Sequence, residues 1–284
     1  MIIKAKDYTP VFITEHEENG IAIFNDLVKL DRGNLICIAA RPGMGKTSLA
    51  LHMALEYAKK CDKTIYIFST DLCSMEIYER MICSLAEIDT YHMRTRSISA
   101  EDKDKITKAS DSLKNTNIII DDTTGLNERQ IIDRLDAVDN LGLVIIDSLQ
   151  YVNCSHKMEL LAQESSIIAR ELRCFAKRKN IPVILTHKLN RKIEEREDKR
   201  PLLGDLREDG ALAQDFDTII FIYRDEYYND ISTDHNQAEI IIAKNRYGYV
   251  KTISLEWQRR YEKFSENKDR KNNEKLPLLK TMID

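Results

Sequence analysis

Glycine is scarce in this chain, nine in 284 residues, so two glycines placed close together need a local reason. Cysteine occurs six times but never as C-x-x-C, and none stands near a histidine at zinc spacing. That argues against structural zinc and points to a reduced, cytoplasmic compartment. No apolar run is long enough to cross a bilayer. The opening stretch MIIKAKDYTPVFITEHEENG lacks the apolar core of a secretory signal. Neither charge sign is in excess: 43 Lys and Arg face 47 Asp and Glu, a net charge of −4. Bulk attraction to nucleic acid or to an anionic membrane is thereby excluded, and any nucleic-acid site has to be a local patch. No internal repeat is visible.

What is present is an alternation. NLICIAA (34–40), KTIYIFST (63–70), TNIIIDD (116–122), LGLVIIDSL (141–149), NIPVILTH (180–187) and FDTIIFIY (216–223) are rich in Ile and Val and nearly continuous in apolar character. Such runs fit strands buried on both faces of a parallel sheet. Between them lie stretches of helical period, such as LNERQIIDRLDAVDN (126–140) and ESSIIARELRCFAKRKN (164–180). This βαβ rhythm predicts an α/β protein with a mostly parallel central sheet flanked by helices. AEIIIAKNRYGYVKTISLEW (238–257) reads as a C-terminal β-hairpin turning at Gly248. The expected organisation is an extension over 1–19, one domain over 20–262 and a charged tail over 263–284.

The paired glycines fall in A-R-P-G-M-G-K-T, residues 40–47. This matches the phosphate-loop pattern G-x-x-x-x-G-K-[ST], with Ala40 at the first glycine position. The loop follows a predicted strand and opens the helix-like stretch KTSLALHMALEYAKK, the context the motif requires. Arg41, Pro42, Gly43, Met44, Gly45, Lys46, Thr47 and Ser48 are therefore the expected nucleotide-binding residues. Gly43 and Gly45 let backbone N–H groups face a phosphate, and the helix N-terminus adds partial positive charge. Lys46 would reach the β- and γ-phosphates of ATP, and Thr47 would hold Mg²⁺. In LGLVIIDSLQ, Asp147 ends an apolar strand on the side where a parallel sheet opens its nucleotide crevice, so it is the second expected Mg²⁺ residue, partly through water.

ARPGMGKT, FSTDL, IDDTTGL, VIIDSLQ, LNR, DKRPLLGDLREDGALAQDFDTIIFIYRDE and AEIIIAKNR, in that order, resemble the C-terminal motor domain of DnaB-type replicative helicases over about residues 20–262. The resemblance implies a RecA-like P-loop NTPase fold. It implies a ring of six copies that hydrolyses ATP at subunit interfaces and moves along single-stranded DNA. It assigns Arg80 to the nucleotide of its own subunit and, more weakly, Arg224 to the adenine. Arg207, Glu208 and Gly210 match the loop lining the DNA channel. Lys244 and Arg246 match the basic residues that reach the neighbouring subunit's ATP; lying two apart at a strand end, they share a face, and arginine suits a phosphate fork. A primase or a helicase loader is the implied protein partner. The resemblance also implies an N-terminal helical domain and linker helix packing on the next subunit. The unpatterned residues 1–19 do not read as such, and a ring without that linker is expected to be weak or to need DNA and ATP.

Two positions depart from the family pattern. A glutamate that orients the attacking water is expected after the second core strand, and Asp71 stands there. Its reach is shorter by about 1.5 Å per lost C–C bond, and a misplacement near 1 Å can cost about 100-fold in rate. Where the family has a glutamine sensing the γ-phosphate, this chain has Lys188, which can pair with that phosphate or with Asp71 but cannot accept a hydrogen bond. His187 beside it reads as a polar strand-end residue rather than a general base. Three readings follow: a DNA translocase of DnaB type; a slow or hydrolysis-impaired ATP-binding protein that regulates replication or switches an assembly; and another RecA-like ATPase sharing only the fold. Asp71 and Lys188 favour the second, the GDLREDG loop and Lys244/Arg246 the first, and the long match over 198–226 argues against the third.

Overall fold

The computed structural model describes residues 24, 28, 30, 33–156, 161–206, 211–229 and 231–267. Nine strands form one sheet: β1 (Leu35–Ala40), β2 (Thr64–Ser69), β3 (Ile118–Asp121), β4 (Leu141–Asp147), β5 (Val183–Lys188), β6 (Thr218–Tyr223), β7 (Gln237–Asn245), β8 (Lys251–Gln258) and β9 (Lys263–Glu266). Their spatial order is β3-β2-β4-β5-β1-β6-β7-β8-β9. The six strands from β3 to β6 pair in parallel. β7, β8 and β9 continue the sheet in antiparallel fashion. The helices are α1 (Lys46–Lys60), α2 (Ser74–Ala86), α3 (Thr90–Thr95), α4 (Ala100–Lys114), α5 (Glu128–Asp136), α6 (Leu161–Lys179) and α7 (Ala211–Asp215).

The alternation of β1 shows why the strands read as continuous apolar runs. Ile36, Ile38 and Ala40 join the core packed with α1, while Leu35, Cys37 and Ala39 join the opposite core with α5 and α6. A strand covered on both faces must be apolar at both phases of its period. The expected parallel sheet, its six strands and the hairpin through Gly248 are all present.

One boundary falls elsewhere. Residues 263–266, expected to begin a charged tail, form β9 and pair with β8. Phe264 is fully buried there, its ring 4.7 Å from that of Trp257 on β8. A Cβ placed on Gly45 would meet the Phe264 ring at 2.9 Å and the Trp257 ring at 3.2 Å. This last strand thus forms the floor beneath the phosphate loop. Removing a fully buried phenylalanine typically costs about 3–5 kcal/mol. Phe264→Ala is expected to lose stability on that scale, read as a lower urea midpoint in equilibrium unfolding. An unchanged midpoint would show that β9 is peripheral.

Candidate nucleotide site

The C-terminal ends of β1, β4 and β5 lie side by side and converge on the loop between β1 and α1. Gly43 (φ 77°) and Gly45 (φ 100°) both take the left-handed backbone region. A side chain there is strained, and at Gly45 the aromatic floor leaves no room for one. Helix α1 begins at Lys46 with Gly45 as its N-cap, so the free N–H groups of its first turn face the loop.

Lys46 is buried, its Nζ donating to the Arg41 carbonyl at 3.2 Å. Burial pulls its pKa from lysine's ordinary 10.5 to about 8, against the opposing pull of the Asp147 charge; the nearby positive charges of Lys188 and Arg41 add to the depression. Thr47 Oγ1 donates to Asp147 Oδ2 at 2.6 Å. Thr186 Oγ1 of β5 donates to Asp147 Oδ1. The hydroxyl and carboxylate of Thr47 and Asp147 are hard oxygen donors held in contact, a donor set that fits Mg²⁺.

Around this centre stand the two departures from the family pattern. Lys188 Nζ lies 3.6 Å from Asp71 Oδ2 and donates to the Tyr151 hydroxyl at 2.6 Å. The Tyr151 hydrogen bond raises the Lys188 pKa first, and the Asp71 charge adds to it. Asp71, Lys188 and Asp147 all lie near enough to Lys46 to act on its charge.

Other expected site residues take different places. Arg41 donates to Glu194 Oε1 at 2.7 Å and to the Leu189 carbonyl at 2.8 Å, bracing the loop from outside. Met44 and Ser48 are buried, and Pro42 is exposed. Buried Arg224 donates to the Gly43 carbonyl at 3.1 Å, pairs with Glu226 and lies over the Trp257 ring. Arg80 pairs with Glu262 at 3.1 Å, in the turn between β8 and β9. Lys244 donates to the Ala213 carbonyl at 2.9 Å, and burial, then the Arg173 charge, lowers its pKa. Arg246 donates to the fully buried Asp217 at 3.0 Å. Arg207, Glu208 and Gly210 lie outside the described residues. His187 Nε2 is 3.3 Å from the Leu206 carbonyl, at the root of that segment. Sequence reasoning missed Thr186, Tyr151, Trp257 and Phe264. For Thr186 a signal existed, a hydroxyl at the end of an apolar strand neighbouring the Asp147 strand. The other three declare themselves only through contacts.

The model of the DnaB-like helicase C-terminal domain matches residues 20–266. The chain belongs to that family. It is 41% identical over 237 residues to the replicative DNA helicase DnaC of Bacillus subtilis (strain 168), covering 82% of this chain and 52% of that one. It is 39% identical over 250 residues to the replicative DNA helicase DnaB of Geobacillus stearothermophilus, covering 87% and 55%. The chain thus spans about half the length of the curated relatives it matches. Among solved structures, a DnaB-like replicative helicase, described together with its interactions with primase, superposes with a TM-score of 0.78 at 35% identity, covering 83% of this chain and 58% of that one. A separately solved ATPase domain gives the same TM-score and identity over 83% and 85%. The RecA-like fold expected from the sequence is therefore shown, and the DnaB-like phosphate loop sits where the fold requires it. Among the described residues no helix is long and apolar enough to cross a membrane.

The depressed Lys46 pKa has a measurable consequence. Phosphate brought beside this lysine favours its charged form, so nucleotide binding raises the pKa again. Near pH 9 Lys46 is mostly neutral before binding, and binding takes up close to one proton. At pH 7 uptake is near zero, and affinity falls as pH rises above about 8. Titration calorimetry in buffers of different ionisation enthalpy measures this uptake. Equal heats in all buffers at pH 9 would contradict the assignment of Lys46 to the phosphates.

Proposed function

We propose that this chain is the motor of an ATP-dependent DNA helicase of DnaB type, binding and hydrolysing ATP at interfaces between copies in a ring and moving on single-stranded DNA. The division of charged groups between the two edges of the sheet carries this reading. Lys46, Thr47, Asp71, Asp147 and Lys188 gather at the C-terminal edge of the parallel strands. β7 runs the other way, with Asn245 beside Thr218 at the start of β6, so Lys244 and Arg246 stand at the opposite edge. A six-residue strand spans about 20 Å, and these cations cannot reach the phosphates of their own chain. A neighbour's site is the one open to them. Asp217 holds Arg246 there meanwhile; the Arg246 side chain is half exposed, and the buried carboxylate keeps Arg173 and the Leu35 N–H as partners when Arg246 leaves it for a phosphate.

Within such an interface Lys46 neutralises the β- and γ-phosphates, and the first turn of α1 donates its N–H groups to them. Thr47 and, partly through water, Asp147 would hold Mg²⁺, which would supply neutralisation of phosphate charge. Asp71 orients and polarises the attacking water. Arg246 of the adjoining copy, supported by Lys244, stabilises the transferring charge in trans. The segment carrying Arg207, Glu208 and Gly210 would track DNA phosphates without reading bases. Its root is fixed by the bidentate pair of Arg196 with Asp205, and the helix after it by Lys244 on the Ala213 carbonyl. A primase or helicase loader is the class of protein partner that suits a motor of this family.

The shared site gives a mixing experiment. Lys46→Ala and Arg246→Ala are each expected to abolish DNA-stimulated ATP hydrolysis. In randomly mixed rings about a quarter of the head-to-tail interfaces pair an intact phosphate loop with an intact arginine. Mixing the two inactive variants should restore activity on that scale, measured by phosphate release. No recovery, with rings present by light scattering, would exclude a site completed in trans.

A second reading, a slow nucleotide switch, is favoured by the Asp71–Lys188 pair: the shortened carboxylate sits beside a cation where a water-polarising group is needed. Asp71→Glu should raise the steady-state rate about tenfold or more by restoring reach. Lys188→Gln should raise it further, non-additively, since both act on one phosphate. Hydrolysis by Asp71→Asn at the wild-type rate would remove Asp71 from the chemistry.

A further inference from the structure

The turn Leu149–Tyr151 follows directly on Asp147 and Ser148. It is pinned to the end of β5 by Gln150, whose Nε2 donates to the Lys188 carbonyl at 3.2 Å and whose Oε1 accepts from Ser148 Oγ at 2.9 Å. The Tyr151 N–H donates to the Ser148 carbonyl at 3.1 Å. Tyr151 is thus a side chain on a fixed platform, facing the Lys188 side chain rather than the core. Its hydroxyl accepts from Lys188 Nζ at 2.6 Å, and the ammonium also lies 4.6 Å from the ring centroid. Asp71 lies farther, at 3.6 Å, beyond the roughly 2.7–2.9 Å usual for a charge-assisted hydrogen bond. The ammonium is held by tyrosine and only attracted by aspartate.

We propose that Tyr151 is a positioning residue, which parks Lys188 within reach of the γ-phosphate of ATP and keeps it from closing onto Asp71. This rests on the reading of the site as one that binds and hydrolyses ATP. Lysine is a flexible point charge on a four-carbon stem. Without a tether it settles on the nearest carboxylate, which withdraws Asp71 from water and Lys188 from the phosphate together. The tyrosine hydroxyl is a neutral acceptor, so it competes with Asp71 before nucleotide binds and yields when a phosphate arrives. The same contact makes Tyr151 a specificity determinant between triphosphate and diphosphate, because only the γ-phosphate meets Lys188.

The test is a double-mutant cycle of Tyr151→Phe with Lys188→Gln, in which phenylalanine keeps the ring and removes the hydroxyl. Two readouts are taken: the ratio of affinities for AMP-PNP and ADP, and kcat and KM for ATP. In the wild-type background Tyr151→Phe should lower the AMP-PNP preference about fivefold with ADP affinity unchanged, and lower kcat about fivefold with KM changed less than about twofold. In the Lys188→Gln background both effects should fall below about twofold. Equal losses in both backgrounds, or no loss in the first, would overturn the positioning role. Should the wild-type chain bind nucleotide without hydrolysing it, the hydrolysis reading fails while the affinity ratios still decide the proposal.

Discussion

Asp147 is the point at which the nucleotide end of the molecule is tied together. Its carboxylate accepts from Thr47 at the start of α1 and from Thr186 on β5. Its backbone carbonyl accepts from the N–H and the hydroxyl of Thr70 after β2. Pieces of the chain far apart in sequence are thereby fixed on one residue. The carboxylate is buried, and among the described residues its hydrogen-bond partners are hydroxyls. Burying a charge costs a great deal unless it is paired. Neutral donors satisfy its lone pairs and leave its charge facing Lys46 and the space beside Thr47. The arrangement that orders the fold is therefore also the one that keeps a carboxylate beside the phosphate loop, where the proposed function would place a cation.

From that anchor the sheet divides into two roles. Parallel strands put all their C-terminal ends on one edge, which gathers loops for a nucleotide. The antiparallel continuation does the opposite, sending the end of β7 to the other edge. In the proposed reading such a molecule would carry half a site at each edge, and copies stacked head to tail would bring the halves together. This asymmetry is that of a heterologous interface, which closes into a ring or opens into a filament according to the rotation between copies.

How much of this was legible in the sequence depends on how much of each element is apolar. β1, β4, β5 and β6 are covered on both faces, and their nearly continuous apolar runs marked both position and class. The phosphate loop was legible because Gly43, Gly45, Lys46 and Thr47 are fixed in type by backbone geometry and phosphate chemistry. Helix α4 was not: only Ala109 and Leu113 along it are buried, too few to mark a stripe. β9 hid for a similar reason, a short strand with Phe264 alone turned fully inward. The partners of Arg80 and Arg246 were beyond sequence reasoning, since the chain carries 47 acidic residues and only the fold selects Glu262 and Asp217. Lys188 and Asp71 were legible as neighbours, and their 3.6 Å separation agrees with that, but the Tyr151 hydroxyl that holds the ammonium carried no signal in the sequence.

In the proposed reading the aromatic floor would give the two half-sites a mechanical connection. Phe264 and Trp257 lie directly under Gly45, and Arg224 links the Gly43 carbonyl to the Trp257 ring. Trp257 belongs to β8, and β8 is the returning strand of the hairpin that presents Lys244 and Arg246. The loop that would receive phosphate in one site and the cations that would serve the next are thus held by one continuous piece of paired sheet. Protein interiors are close-packed and transmit displacement rather than absorb it. In a ring of the proposed kind, tightening of the phosphate loop around its own nucleotide would press on the floor. It would then be felt at the hairpin tip as a change in where Arg246 meets the neighbour.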